Sequence, residues 1–325
     1  MKVGILGGGG CFALNFARHL SNIGVDHFGI GRSRKKEPAF WCVTHNYNYH
    51  QAHLGTQLQA TLGILDTERP DVIVNYAAQG EGAASFADNA PDFFQTNCVA
   101  LSKLVCELRK RSYLRRFVHI GSSEVYGASP RGDLPSIESD PLFPSSPYSA
   151  SKAAFDWYLE TMWRTARFPM NIVRPSNCYV EGQQLYRIIP KTFVTIANGE
   201  TLDLHGGGKS EKSYLHADDL SAAVALIIDQ APMGEIFNVG PSKPISICNL
   251  VKRICDVAGV DFNKHVREAP DRVGQDRKYW LDSSKLRELG WSPRVPLIDG
   301  LQRMKGWVDS HPKICAMPST YRHRP

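Results

Sequence analysis

The chain has 325 residues, enough at ~150 per domain for two domains or for one large domain carrying a smaller lobe. Hydrophobic content of 42%, charged content of 22% and 27 glycines exclude a disordered tail protein, a fibrous repeat and a small disulfide scaffold. Its 38 Lys and Arg outnumber 32 Asp and Glu, and this mild net charge of +6 suits an anionic small molecule at least as well as nucleic acid, which is not expected as a partner.

An apolar run at 3–6 (VGIL) precedes a helix-length amphipathic stretch at 12–24. HFGIG at 27–31, a helical segment at 58–68, DVIVNYAA at 71–78, an amphipathic stretch at 96–111 and RRFVHIGSS at 115–123 follow in turn. Strands alternating with helices predict right-handed βαβ units, and hence an α/β fold with a doubly wound parallel sheet. MNIVRPS at 170–176 and EIFNVGP at 235–241 extend that sheet. The alternation is lost at 178–213 and 243–310, which predicts a smaller, discontinuous α/β substrate lobe. The sheet domain is then 1–177 and 214–242, with 311–325 as a polar tail.

The cysteines at 11, 42, 98, 106, 178, 248, 255 and 315 form no CxxC pair, so neither a metal site nor a disulfide framework is signalled. A reducing cytoplasm fits them best. The first strand begins at Lys2, leaving no room for a signal sequence, and no apolar run reaches the ~18 residues of a membrane span, so no membrane association is expected.

Gly7-Gly8-Gly9-Gly10-Cys11-Phe12-Ala13 sits between the first strand and the helix it opens. A dinucleotide pyrophosphate needs bare backbone and a helix amino terminus at that point, so the sheet domain reads as Rossmann-type. Gly7 permits the tight turn and Gly10 the approach of phosphate, Cys11 and Phe12 open the helix, and Ala13 replaces the third glycine of the pattern. After the second strand an NAD-preferring chain places an acidic residue for the ribose 2′-hydroxyl, whereas here stand Gly31-Arg32-Ser33-Arg34-Lys35-Lys36. Forked guanidinium groups pair with a 2′-phosphate, so the expected cofactor is NADP, with NAD as the alternative; Lys35 and Lys36 also read as a solvated turn.

Tyr148 and Lys152 stand at i and i+4 on one helix face. A nearby ammonium favours the tyrosinate over a phenol whose ordinary pKa is ~10. Ser122 lies at the carboxyl end of the strand RFVHIGSS, where ligands of an open α/β sheet bind and a hydroxyl shares the same substrate oxygen. Two residues on, Glu124 falls on the side of Ser122 if the strand stays extended, so its carboxylate is the candidate for the neighbouring carbon.

Glycine loop, Ser122, Tyr148 and Lys152 in this order resemble the short-chain dehydrogenase/reductase superfamily, in its extended branch that modifies nucleotide sugars. Asn75-Tyr76-Ala77-Ala78-Gln79, Thr96-Asn97, Val125-Tyr126-Gly127, Pro147 and Tyr214-Leu215-His216-Ala217-Asp218-Asp219 match as well. The stretches at 145–152, 271–279 and 289–291 resemble dTDP-glucose 4,6-dehydratases, while Ser122-Ser123-Glu124 is similar to the Thr-Ser-Glu of GDP-mannose 4,6-dehydratases. The resemblance implies that Leu54, Ala77 and Ala78 line the cofactor. It further implies that Gln79, Asn177, Arg187, Lys212 and Arg272 hold a nucleotide-diphosphate hexose. Lys212 stands where an arginine is usual, and Val180-Glu181 replaces a common Gly-Pro.

The implied activity is a 4,6-dehydratase reaction in which Tyr148 and Ser122 act at O4, and Glu124 removes the C5 proton and protonates the departing C6 hydroxyl. Ser123, a catalytic position in this pattern, is too weak an acid to replace the Asp of the dTDP-glucose enzymes. The rivals are a nucleotide-sugar epimerase, for which Cys178 is a candidate acid or base, and a catalytically silent NADP-binding protein. The branch also implies a homodimer through the helices at 96–111 and 147–158, where Val99, Leu101, Leu104 and Val105 and Ala153, Ala154, Phe155, Trp157 and Tyr158 form apolar faces that equally suit covering the sheet.

Overall fold

The computed structural model describes residues 1–33, 40, 47–80, 89–128, 131–271 and 277–320. The central sheet begins with β1 (Lys2–Leu6), β2 (Asp26–Gly31), β3 (Asn48–Gln51), β4 (Val72–Asn75), β5 (Arg116–Ile120) and β6 (Met170–Pro175). The chain then leaves for the lobe through β7 (Asn177–Tyr179), β8 (Leu202–His205), β9 (Glu211–Lys212) and β10 (Tyr214–His216) before closing the sheet with β11 (Ile236–Val239). The strands run parallel in the order β11-β6-β5-β4-β1-β2-β3, so the winding reverses between β1 and β4. In an open parallel sheet that reversal leaves a crevice at the carboxyl ends of the strands, where ligands bind.

The α-helices among the described residues are, in chain order, α1 (Cys11–Asn22), α2 (Leu58–Glu68), α3 (Ala90–Phe94), α4 (Leu101–Leu108), α5 (Pro147–Ala166), α6 (Ile188–Ala197), α7 (Ala217–Gln230), α8 (Ile247–Ala258), α9 (Phe262–His265), α10 (Ser284–Glu288) and α11 (Leu297–Ser310). Strand side chains alternate between two covered faces, which is why the sheet sequences read as continuous apolar runs. Val3, Ile5, Val72, Val74, Val118 and Val173 pack against α1 and α7, whereas Ile73, Phe117 and Ile172 pack against α2, α4 and α5. Burying one such side chain stabilises by ~1.5–3 kcal/mol, so Leu14, Phe16, Ala17 and Leu20 hold α1 in place although no side chain caps its amino terminus. A separate core joins α6, α8 and the helix Leu297–Ser310 through Phe193, Leu250, Ile254, Leu301 and Trp307, and this is the lobe.

Two expected boundaries shift. Leu286 and Trp291, placed by sequence in the lobe, pack into the sheet's core, and the Trp291 indole donates to the Asp219 carbonyl (3.0 Å). The expected polar tail begins later than residue 311, because Pro312–Ala316 forms a 3₁₀ turn whose Ile314 is buried in the lobe core. The apolar faces proposed for dimerisation are mostly spent on the chain's own sheet: Leu101, Leu104, Val105, Ala153 and Phe155 are fully buried, while Val99 and Trp157 stay exposed at 37% and 54%. Among the described residues no helix is long and apolar enough to cross a membrane.

Candidate active site

The glycine turn forms as its composition demands. Gly7 has a φ of 72°, and a Cβ there would lie 2.6 Å from the Ala77 amide nitrogen. The Gly10 amide donates to the Gly7 carbonyl at 2.8 Å, and α1 starts directly after it with its first amides uncapped. Bare backbone followed by a helix amino terminus that no side chain caps fits a dinucleotide pyrophosphate. Cys11 and Phe12 pack on Val180 and Ala217, which joins this turn to the segment entering the lobe.

Two tyrosines unread in the sequence back the turn. The Tyr47 hydroxyl donates to the Gly8 carbonyl (3.2 Å), and the Tyr49 hydroxyl donates to the Ser33 carbonyl (2.7 Å). Arg32 and Ser33 are exposed just beyond β2, and the Arg32 carbonyl accepts from the Gln51 amide (3.1 Å). Leu54 is half-buried beyond β3, and Ala77 and Ala78 follow β4. Gln79 is buried with its backbone held at both ends by Asn97, which also donates to Ser151 Oγ (3.0 Å) from a π-helical turn over Gln95–Ala100. Arg34 and Arg272 lie outside the described residues.

The catalytic candidates meet at the carboxyl end of β5, by a route different from the expected one. The strand does not stay extended: it ends at Ile120, Ser122 caps a 3₁₀ turn over Ser123–Tyr126, and the Ser122 hydroxyl accepts from the Glu124 amide (3.2 Å). Glu124 is therefore delivered by the turn, not by strand alternation, and remains half-exposed while Ser122 and Ser123 are buried. Ser123 lies beside Tyr126, Ser136 and Tyr279. Ser146 caps α5 and brings Tyr148 into its first turn, edge-on to Phe93 at 6.0 Å. One turn later, the Lys152 ammonium group donates to the Ile120 carbonyl (2.8 Å), and burial pulls its pKa down to about 8 against the opposing pull of Asp156.

Beneath Lys152 runs a buried polar row that sequence reading missed. Lys152 Nζ lies 3.2 Å from His119 Nε2, which lies 3.8 Å from Asp156 Oδ1. Asp156 Oδ2 accepts from Arg174 (2.9 Å), Arg174 donates to the Tyr126 hydroxyl (2.9 Å), and that hydroxyl donates to Asn238 (2.8 Å). Burial, with the cations of Lys152 and Arg174, holds His119 well below the ordinary histidine range. Burial raises the Asp156 carboxyl against the pull of Arg174. The signals were present as a histidine inside an apolar strand and an aspartate at i+4 from Lys152.

On the lobe side, Arg187 caps the start of α6 and its guanidinium approaches Gly80. Burial opposes its charge, but the negative charge available at Tyr186, Glu124, Tyr148 and Cys11 raises its pKa. Lys212 is buried, with its ammonium 3.4 Å from the centre of the Tyr279 ring. Asn177 carries a buried Oδ1 with no hydrogen-bond partner among the described residues. Cys178 is packed against the sheet's core, and burial raises its thiol pKa further from the working range of an acid or base.

The NAD dependent epimerase/dehydratase family model matches residues 3–240. The trifunctional UDP-glucose 4,6-dehydratase/UDP-4-keto-6-deoxy-D-glucose 3,5-epimerase/UDP-4-keto-L-rhamnose-reductase of Arabidopsis thaliana is 30% identical over 251 residues, which are 77% of this chain and 37% of that protein. The chain thus spans a little over a third of that relative's length. The dTDP-glucose 4,6-dehydratase of Streptomyces niveus is 33% identical over 238 residues, 73% of this chain and 69% of the relative. The dTDP-glucose 4,6-dehydratase structure from Streptomyces venezuelae, solved with NAD bound, superposes with a TM-score of 0.87 at 28% identity, covering 96% of this chain and 98% of that one. With the glycine turn, the Ser122, Tyr148 and Lys152 cluster and the parallel sheet in place, the chain belongs to the NAD dependent epimerase/dehydratase family.

Proposed function

We propose that the chain is an NADP-dependent nucleotide-sugar 4,6-dehydratase, which converts a nucleotide-diphosphate hexose into its 4-keto-6-deoxy form with loss of water. The observation that carries the reading is Glu124, set by the 3₁₀ turn beside Ser122 at the carboxyl end of β5. The nicotinamide, when bound, accepts and returns the hydride. Tyr148, its phenolate favoured by the Lys152 ammonium, takes the O4 proton while Ser122 holds O4. Glu124 removes the C5 proton, made acidic by the 4-keto group, and delivers a proton to the departing C6 hydroxyl. Asn177, Arg187 and Lys212 hold the diphosphate, the two cations supplying charge-assisted hydrogen bonds. The lobe is read as the side that receives the sugar nucleotide, and Val99 and Trp157 are the exposed apolar residues offered to a homodimer.

The epimerase reading shares the Ser122, Tyr148 and Lys152 set, but Cys178 gives it no acid or base at the core of the sheet. Incubation with a panel of nucleotide hexoses separates the two: a product lighter by one water is expected, and an isomer of unchanged mass identifies an epimerase instead.

The proposed preference for NADP over NAD rests on Arg32, which directly follows β2 where a carboxylate would otherwise meet the ribose 2′-hydroxyl. Arg32→Ala is expected to reduce the ratio of NADP to NAD affinity by on the order of tenfold, the size of one charge-assisted hydrogen bond. An unchanged ratio in a cofactor titration rejects the preference.

A further inference from the structure

The hydrogen-bond pattern behind Lys152 favours one tautomer of a buried histidine. Asn75, at the end of β4, receives the Ala77 amide on its Oδ1 (3.2 Å). Only the oxygen of an asparagine accepts, so its Nδ2 is the atom 2.9 Å from His119 Nδ1, and it donates there. His119 Nδ1 therefore carries a lone pair and the imidazole proton lies on Nε2. That proton faces two groups at once: Lys152 Nζ at 3.2 Å and Asp156 Oδ1 at 3.8 Å, the latter a buried oxygen with no hydrogen-bond partner among the described residues. An Nε2–H directed at an ammonium sets donor against donor, whereas directed at a neutral amine it meets a lone pair.

We propose that His119 is a positioning residue for Lys152: locked by Asn75 as the Nε2–H tautomer, it stabilises the neutral amine and so sets the upper pH limit of proton transfer at Tyr148. The proposal rests on the reading of Lys152 as the partner of Tyr148. With Lys152 charged, the Nε2–H faces a second donor, and Asp156 Oδ1 at 3.8 Å lies beyond hydrogen-bond distance; with Lys152 neutral, the lone pair of the amine accepts the Nε2–H across 3.2 Å. The neutral form therefore gains a hydrogen bond that the charged form lacks. The other charged or titratable groups facing the row are Tyr148 and Glu160 on α5, Arg174 on β6, Tyr126 on the 3₁₀ turn, and Glu138 behind Arg174.

Asn75→Asp inverts the arrangement. One carboxylate oxygen keeps the Ala77 amide and the other demands a proton on Nδ1, which leaves Nε2 as an acceptor for the Lys152 ammonium. The alkaline limb of turnover against pH is expected to move up by about one unit or more. In the protein without cofactor, nitrogen NMR of the imidazole is expected to show the Nε2–H tautomer in the unaltered chain and the Nδ1–H tautomer in the variant. The measurement on the unaltered chain requires no variant to fold, and finding Nδ1–H there overturns the proposal. So does a tautomer switch in Asn75→Asp that leaves the alkaline limb in place. Lys152→Met separates the two levels: full turnover in that variant removes the reading of Lys152 itself, while loss of turnover together with an unmoved limb in Asn75→Asp removes only the role of His119.

Discussion

Glu124→Gln is expected to stop the loss of water while oxidation at C4 continues. A positioned general acid or base contributes ~10²–10⁴ in rate, and Glu124 is proposed to act twice, removing the C5 proton and protonating the C6 hydroxyl, so a fall in turnover of at least ~10³ is expected. Glutamine keeps the shape of the side chain. The amide that donates to Ser122 Oγ belongs to the backbone, so the 3₁₀ turn over Ser123–Tyr126 is preserved and the unfolding midpoint should not move. Two readouts taken together decide the role. Reduced cofactor should accumulate during a single turnover, and no product lighter by one water should form. If dehydration proceeds undiminished, Glu124 is a partner of Arg187 and nothing more. Loss of both oxidation and dehydration points instead to a disturbed Tyr148, which like Glu124 raises the Arg187 pKa.

The parts of this site that were legible in sequence are those where a local rule leaves one solution. Four glycines between a strand and a helix forced the turn at Gly7, since the 72° torsion and the approach of Ala77 admit no side chain. Tyr148 and Lys152 stayed on one face because helix periodicity is local. The location of Glu124 was anticipated but the reason was not: strand alternation was assumed beyond Ile120, whereas the Ser122 hydroxyl diverts the chain by accepting the Glu124 amide. The buried row was invisible for another reason. His119, Asp156 and Arg174 are separated by 37 and 18 positions along the chain, and only the pairing of β5 with β6 and the docking of α5 bring them together. The late boundary of the tail has the same origin, because the burial of Ile314, with Cys315 and Met317 packed beside it, depends on lobe helices distant in sequence.

Arg174→Met is expected to destabilise the fold by about 3–5 kcal/mol, the cost of leaving one partner of a buried ion pair uncompensated. Arg174 and Asp156 are 1% and 0% exposed at the side chain and 2.9 Å apart, so the remaining carboxylate has no water to turn to. Burial already raises the Asp156 pKa with its partner present, and removing Arg174 raises it further. For a carboxyl raised above its unfolded value, the folded state binds more protons than the unfolded one between the two pKa values, so stability falls as pH rises through that window. The variant should therefore recover part of its loss in acid, toward the ordinary carboxylate range, and be weakest at neutral pH. The double variant Asp156→Leu with Arg174→Met removes both charges and should lose less than the sum of the two single variants, by an interaction energy of about 1–3 kcal/mol in urea unfolding. Strict additivity, or a loss in Arg174→Met independent of pH, would show that the Tyr126 and Asn238 hydrogen bonds carry the row and that the ion pair adds little.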